Sequence, residues 1–368
     1  MKIPFRDLRV KDAAMRAELL AAVEKVLVHG RLILGPEVSQ FEAEVAKYCG
    51  RRYAVGVNSG TDALYLALRA LGVGPGDEVI TTPLSWIATL NSIVLTGATP
   101  VFVDIKPDLN INEELIEAAI TPKTKAIVPV HFTGRMCGMS RIMETAARHG
   151  VPVVEDAAQA FGSRLDGRVS GGFGLVGCFS MNPMKVFCAY GEAGAIVTDD
   201  EDIALRLESL RYNGTVNKED CRWPSLNGRL DTVQAAMMLV GLKYLQKKID
   251  GRRRISEFYD SVLGGVVGVP PHDGSYHSYY SYTITAERRD ELLEYLASRG
   301  VETKIQHPIL MPYHTAYKHL GGFHIPVAEN LVKKILCIPN QEDLTAEELG
   351  YVSSCILEFY NGNKRESG

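Results

Sequence analysis

From Tyr53 onward, short runs of apolar and β-branched residues alternate with longer stretches whose apolar residues recur every three or four positions. Strand-like runs fall at Tyr53 to Val57, Glu78 to Thr81, Pro100 to Asp104, Ala126 to His131 and Val151 to Glu155, and helical segments open near Thr61, Trp86, Asn112 and Ser140. The alternation predicts the α/β class, a large and mostly parallel sheet with helices on both faces. Ahead of it, Leu19, Ala22, Val23 and Val26 keep helical spacing over Ala13 to Val28, and the spacing resumes from Val38 to Tyr48. The loop between them, GRLILGPE, is apolar and needs cover from a ligand or a second subunit. Beyond Leu245 the pattern predicts a smaller α/β domain. It comprises a long charged helix through Ile255 and Tyr259, a strand in Ser278 to Thr285, a helix Arg288 to Arg299, a strand Val301 to Ile305 and a last helix Thr345 to Tyr360. The expected division is 1–244, N-terminal helices plus large domain, and 245–368, small domain.

Composition narrows the class. At 368 residues the chain is long for a single core, and its apolar and charged fractions are those of a globular protein, with disorder expected only in the final NGNKRESG. A net charge of -4 leaves no footprint for nucleic acid or an anionic membrane, and the basic run Lys247-Lys248, Arg252-Arg253-Arg254 reads as the solvated face of a helix. No apolar stretch is long enough to span a bilayer and MKIPFRDLRV lacks a signal-peptide core, so the expected location is cytoplasmic. Seven cysteines without a CxxC pair or His-Cys clustering argue against a disulfide framework and a metal site. Cys178 and Cys188 read as small buried hydrophobes.

In parallel sheets ligands sit at the carboxyl ends of the strands, and candidate chemistry gathers there. After the first strand, Asn58-Ser59-Gly60-Thr61 is either a plain helix cap or an anion cradle of backbone N–H groups and a hydroxyl. Trp86 is either core or a flat face for a planar ligand, and His131 either core or in contact with such a ligand. The fifth strand delivers Asp156 into an alanine-rich turn with Gln159 three residues on, where a carboxylate needs a positive partner. Lys185 stands among Val186, Phe187, Cys188 and Ala189; alone it reads as a snorkelling surface lysine, or as one desolvated toward a neutral, nucleophilic amine. A phosphate cradle, a flat aromatic, a buried acid and a desolvated lysine together are what pyridoxal 5'-phosphate requires.

The motifs GRLILGPEVSQFE, NSGTDAL, GDEVITTP, VEDAAQAFGS, FSMNPMKVFCAYGEAGAIVT, LNGRLDTVQAA and LCIPNQEDLTAEEL follow one another over nearly the whole chain. In them the chain resembles the DegT/DnrJ/EryC1/StrS family of pyridoxal-phosphate-dependent nucleotide-sugar aminotransferases, of fold-type I. The resemblance implies an αβα large domain with a small C-terminal α/β domain, and a ping-pong transfer of an amino group from glutamate to a nucleotide-linked keto sugar. 2-Oxoglutarate and pyridoxamine 5'-phosphate arise on the way. By the same resemblance Lys185 carries the internal aldimine, Asp156 meets the pyridine nitrogen, Gln159 the ring hydroxyl, and Trp86 stacks on the ring. Gly60, Thr61 and Ser180 hold the phosphate, and Asn227 reaches it from the neighbouring subunit of a homodimer with shared active sites. GRLILG is then expected near the sugar nucleotide.

Two departures stand out. Gly191-Glu192-Ala193-Gly194 replaces GEGG or GDGG, and Gln306-His307-Pro308 replaces the His-Tyr-Pro that many members show on the substrate side. Other readings are amination of a cyclitol or other carbocycle, or a cofactor-binding sensor without turnover. A sugar-dehydrating branch, with histidine at the Schiff-base position, is opposed by Lys185. Arg229 is a candidate for a carboxylate or diphosphate, whereas Arg288-Arg289 reads as surface salt bridging.

Overall fold

The structure, a computed structural model, describes residues 1–362. Two helices come first, α1 (Ala13–His29) and α2 (Pro36–Cys49). The Asp12 carboxylate accepts from the N–H groups of Ala14 and Met15 to start α1, and Gly30, left-handed at φ 71°, ends it. Seven strands then build the large sheet: β1 (Tyr53–Val57), β2 (Glu78–Thr81), β3 (Thr99–Phe102), β4 (Thr124–Val128), β5 (Val154–Asp156), β6 (Val176–Ser180) and β7 (Gly194–Thr198). They lie in the order β3-β2-β4 and β5-β6-β7-β1, and the two groups join where Ile127 pairs with Val153 and Val130 with Asp156. Neighbours run parallel except at β7, which is antiparallel to both β1 and β6. The carboxyl ends of β1, β2, β4, β5 and β6 therefore share one edge of the sheet.

Helices cover both faces. On one, α3 (Gly60–Ala70) buries Ala63, Leu64, Ala67 and Leu68 with Val154, Val176 and Cys178 of the sheet. On the other, Phe41 and Val45 of α2 meet Phe179, Ala195 and Val197. Adjacent Cys178 and Phe179 thus fill opposite cores, as the pleat of β6 dictates. The helix α4 (Ile87–Val94) follows β2, and α5 (Met139–His149) precedes β5.

The 32-residue α6 (Thr232–Leu263), about 48 Å long, links the two cores. Ala235, Met238, Leu245 and Ile249 lie in the large core, and Ile255, Tyr259 and Leu263 in the small one. The small core is completed by the antiparallel pair β8 (Tyr282–Thr285) and β9 (Ile335–Ile338), by α7 (Arg289–Ser298) and by α8 (Ala346–Gly362). Ile3 of the N-terminus is buried there too. We keep the division into 1–244 and 245–368 as a proposal whose border runs through the middle of α6.

Several expectations shift. The helix expected near Asn112 is a 3₁₀ turn, Glu113–Leu115, followed by only one α turn, Ile116–Ala119. The expected strand Val301 to Ile305 is two isolated bridges, because Val301 pairs with Ile3 while Lys304 pairs with Cys337. The segment changes partner midway and no ladder forms. Arg252 of the basic run is buried, its guanidinium paired with Glu342 and donating to the carbonyls of Tyr279 and Tyr280. Among the seven free cysteines Cys188 is half-buried and Cys221 exposed. The expected disorder of the tail falls mainly on 363–368, outside the described residues, whereas Asn361 and Gly362 belong to α8. No helix among the described residues is long and apolar enough to cross a membrane, and no cluster there could hold a metal ion.

Candidate active site

The cradle forms where β1 turns into α3. Ser59 caps the helix, its hydroxyl accepting from the Asp62 N–H at 3.0 Å, so the first-turn N–H groups of Gly60 and Thr61 have no intrahelical acceptor. Ser180, at the end of β6, presses against this turn, and a Cβ at Gly60 would stand 2.5 Å from Ser180 Cβ. Only glycine allows the helix start and the end of β6 to approach this closely.

Two carboxylates end β5 and divide the work. Glu155 is fully buried and accepts from His131 Nε2 at 3.0 Å and from the N–H groups of Gly171, Phe173 and Gly174. Burial pushes its carboxyl up, but His131 and these backbone donors outweigh that and hold it below its ordinary value. His131 Nδ1 accepts from the Cys137 N–H, so both ring nitrogens are spent inside the fold. Of its two readings, the satisfied core residue is the one observed. Asp156 faces the other way. It accepts from Thr89 Oγ1 at 2.7 Å and from the Ala158 N–H, yet burial still pushes its carboxyl above the ordinary value, with Thr89, Ala158 and the Lys185 charge only partly offsetting it. A cation placed against it is strongly favoured.

Lys185 is half-buried, and its Nζ lies 4.4 Å from the ring centroid of Tyr280, a cation–π contact from the small-domain side. Trp86, 60 % exposed at the N-cap of α4, is not core; its ring meets that of His307 at 5.7 Å. His307 packs on Phe132 as well, and burial, with the charges of Lys185, Lys304 and His314, pushes its pKa down to about 3. Gln159 is buried, its Oε1 accepting from the Thr133 N–H at 2.9 Å and from Gln306 Nε2 at 3.1 Å.

Asn227 is exposed, its backbone carbonyl accepting from Asn58 Nδ2 and its Oδ1 from Arg229 Nε at 2.7 Å. Arg229 also covers the Tyr212 ring at 4.6 Å. The Arg288-Arg289 pair forms ion pairs with Glu291 and Asp290. Burial raises the Cys178 thiol well above its ordinary value, which fits a structural role. Sequence reasoning missed Thr89, Tyr280 and the Gln306 contact. Thr89 and Tyr280 carry no local signal, and the Gln306-His307 departure was expected on the substrate side rather than against Gln159.

The family model of the DegT/DnrJ/EryC1/StrS aminotransferase family matches residues 13–357. The chain belongs to this family. Among curated relatives of this aminotransferase, the dTDP-3-amino-3,4,6-trideoxy-alpha-D-glucose transaminase of Streptomyces venezuelae is 41% identical over 92% of this chain and 91% of its own. A "pleiotropic regulatory protein" of Geobacillus stearothermophilus is 39% identical over 98% of this chain and 99% of its own. Among solved structures, that of NtdA from Bacillus subtilis with bound cofactor PMP superposes at a TM-score of 0.92, with 31% identity, over 98% of this aminotransferase and 85% of NtdA.

Proposed function

We propose that this aminotransferase uses pyridoxal 5'-phosphate on Lys185 to move an amino group from glutamate to a keto group of a nucleotide-linked sugar. The observation that carries the reading is the meeting, on one sheet edge, of the Gly60–Ser180 cradle, the buried Asp156 carboxylate and Lys185. These residues fit the cofactor: an anion cradle that a Cβ would fill, a buried acid short of a cation, and an amine within a ring contact of the small domain. When bound, the cofactor supplies an electron sink for removal of a proton from carbon. Gly60, Thr61 and Ser180 would hold its phosphate, Asp156 would keep a proton on its pyridine nitrogen, Gln159 would donate to its ring hydroxyl, and Trp86 would cover its face. Lys185 would anchor it covalently, and its Nζ, when free, would be the base that takes up and returns a proton at the amino donor's α-carbon. The Tyr280 ring, 4.4 Å from Nζ, would help hold the Lys185 side chain in place.

We further propose a homodimer in which Asn227 completes the partner's phosphate site. Leu27 and Val28 of α1, with Leu32 and Ile33 of the following loop, are exposed apolar residues that a second subunit or the substrate would cover. The name of the Geobacillus relative favours a second reading, a cofactor-binding regulator without turnover.

Absorbance separates the two. Glutamate should bleach the visible band of the cofactor-loaded enzyme, and a panel of nucleotide keto-sugars, read by mass spectrometry, should then restore it with an aminated product. A band that no amino donor bleaches would favour the regulator. Lys185→Ala should lose both band and turnover, and intact turnover in that variant would sink the assignment.

A further inference from the structure

The amide orientations around Gln159 follow from one backbone group. The Thr133 N–H can only donate, so the Gln159 atom 2.9 Å from it is the oxygen Oε1. The Gln306 atom 3.1 Å from that same oxygen must then be the donor Nε2. This turns Gln306 Oε1 toward Cys337, whose thiol lies 3.5 Å away. The second Nε2 hydrogen faces His307 Nε2 at 3.5 Å, which a neutral imidazole can accept. With two donors on Gln159 Oε1, both Nε2 hydrogens of Gln159 are left for a ligand, and the amide cannot flip without setting two N–H groups against a third.

Gln306 belongs to the small domain. Lys304 and Cys337 exchange backbone hydrogen bonds at 3.0 and 2.8 Å, which seats the segment beside β9. His307, at φ 59° and followed by Pro308, then turns the chain away, so the buried Gln306 side chain spans from β9 to the turn after β5.

We propose that Gln306 is a positioning residue that locks the Gln159 amide with its N–H groups toward the cofactor, making cofactor affinity depend on how the small domain is seated. The inference rests on Gln159 facing pyridoxal 5'-phosphate, as proposed above. Its test is a double-mutant cycle read by titrating pyridoxal 5'-phosphate into apoenzyme and following the visible band, with the pH midpoint of the band recorded alongside.

Gln306→Met, close in volume but without polar atoms, should weaken cofactor binding about 5-fold, the worth of one neutral hydrogen bond, and shift the pH midpoint. In a Gln159→Ala background the same change should alter binding by less than roughly twofold. Thermal unfolding checks the fold. If Gln306→Met fails to fold, Gln306→Asn, too short to reach Gln159, should show the same pattern. Equal losses in both backgrounds would mean a merely structural role and overturn the proposal, as would wild-type binding by Gln306→Met. A wild-type protein that forms no band would instead remove the cofactor reading itself, and this inference with it.

Discussion

Replacing Gly60 by alanine tests the cradle directly. The added carbon would stand 2.5 Å from Ser180 Cβ and 3.0 Å from both Ser180 Cα and Oγ. Carbon atoms rest at about 3.5–4.0 Å, so the start of α3 and the end of β6 must part by about 1 Å. A rotamer change at Ser180 does not relieve this, because Cα and Cβ do not move with χ1, and Ser180 is held in the ladder opposite Gly194. Overpacking of this kind costs about 1–3 kcal/mol of stability. The larger effect falls on the anion. Hydrogen bonds weaken beyond about 3.2 Å, so an opening of about 1 Å prevents the helix N–H groups and the Ser180 hydroxyl from gripping one phosphate together. Loss of one charge-assisted bond, about 1.5–3 kcal/mol, lowers affinity roughly 10- to 100-fold. Titration of the visible band with pyridoxal 5'-phosphate reads the affinity, and Gly350→Ala, whose Cβ meets nothing within 4 Å, serves as control. Wild-type affinity in Gly60→Ala would refute the cradle.

Two further substitutions probe the rest of the site. Glu155→Gln should destabilise the fold by about 1–3 kcal/mol, because the amide NH₂ would face backbone N–H donors that the carboxylate accepted from, measured by denaturant unfolding at neutral pH. Because the folded Glu155 carboxyl lies below its ordinary 4.5, its contribution is complete above that value and is lost as pH falls through the folded one, so the gap between wild type and variant should close on acidification; a gap that widens would refute the pairing. Trp86→Ala should leave stability within about 0.5 kcal/mol, since Trp86 is 60 % exposed, while weakening cofactor binding several-fold. A large loss of stability without loss of binding would show a packing role instead.

Much of the architecture was readable from local pattern. The bounds of β1 and β2 match their predicted runs residue for residue, because strand periodicity and the turn residues that flank each run act over a few positions. The Val301 to Ile305 segment was misjudged for the opposite reason: whether an extended run becomes a strand depends on a partner, and here the partner changes from Ile3 to Cys337. Arg252 likewise carries no local sign that Glu342 and two carbonyls await it.

The residue types of the site were set by the chain itself. Gly60, Asp156 and Lys185 have the required chemistry at the ends of recognisable elements, since glycine's missing Cβ, a carboxylate and an amine are properties of single residues. The sequence already singled out Asp156 of the Glu155-Asp156 pair, but what each carboxylate meets was decided only by tertiary structure. The pleat turns neighbouring side chains to opposite faces, so Glu155 enters a pocket of backbone N–H groups with His131, while Asp156 meets Thr89 and the field of Lys185. The same holds for Gln306, whose amide matters only because a small-domain strand brings it to within a hydrogen bond of a residue 147 positions away. Covalent chemistry is written residue by residue, whereas desolvation and hydrogen-bond direction exist only once distant segments are packed together.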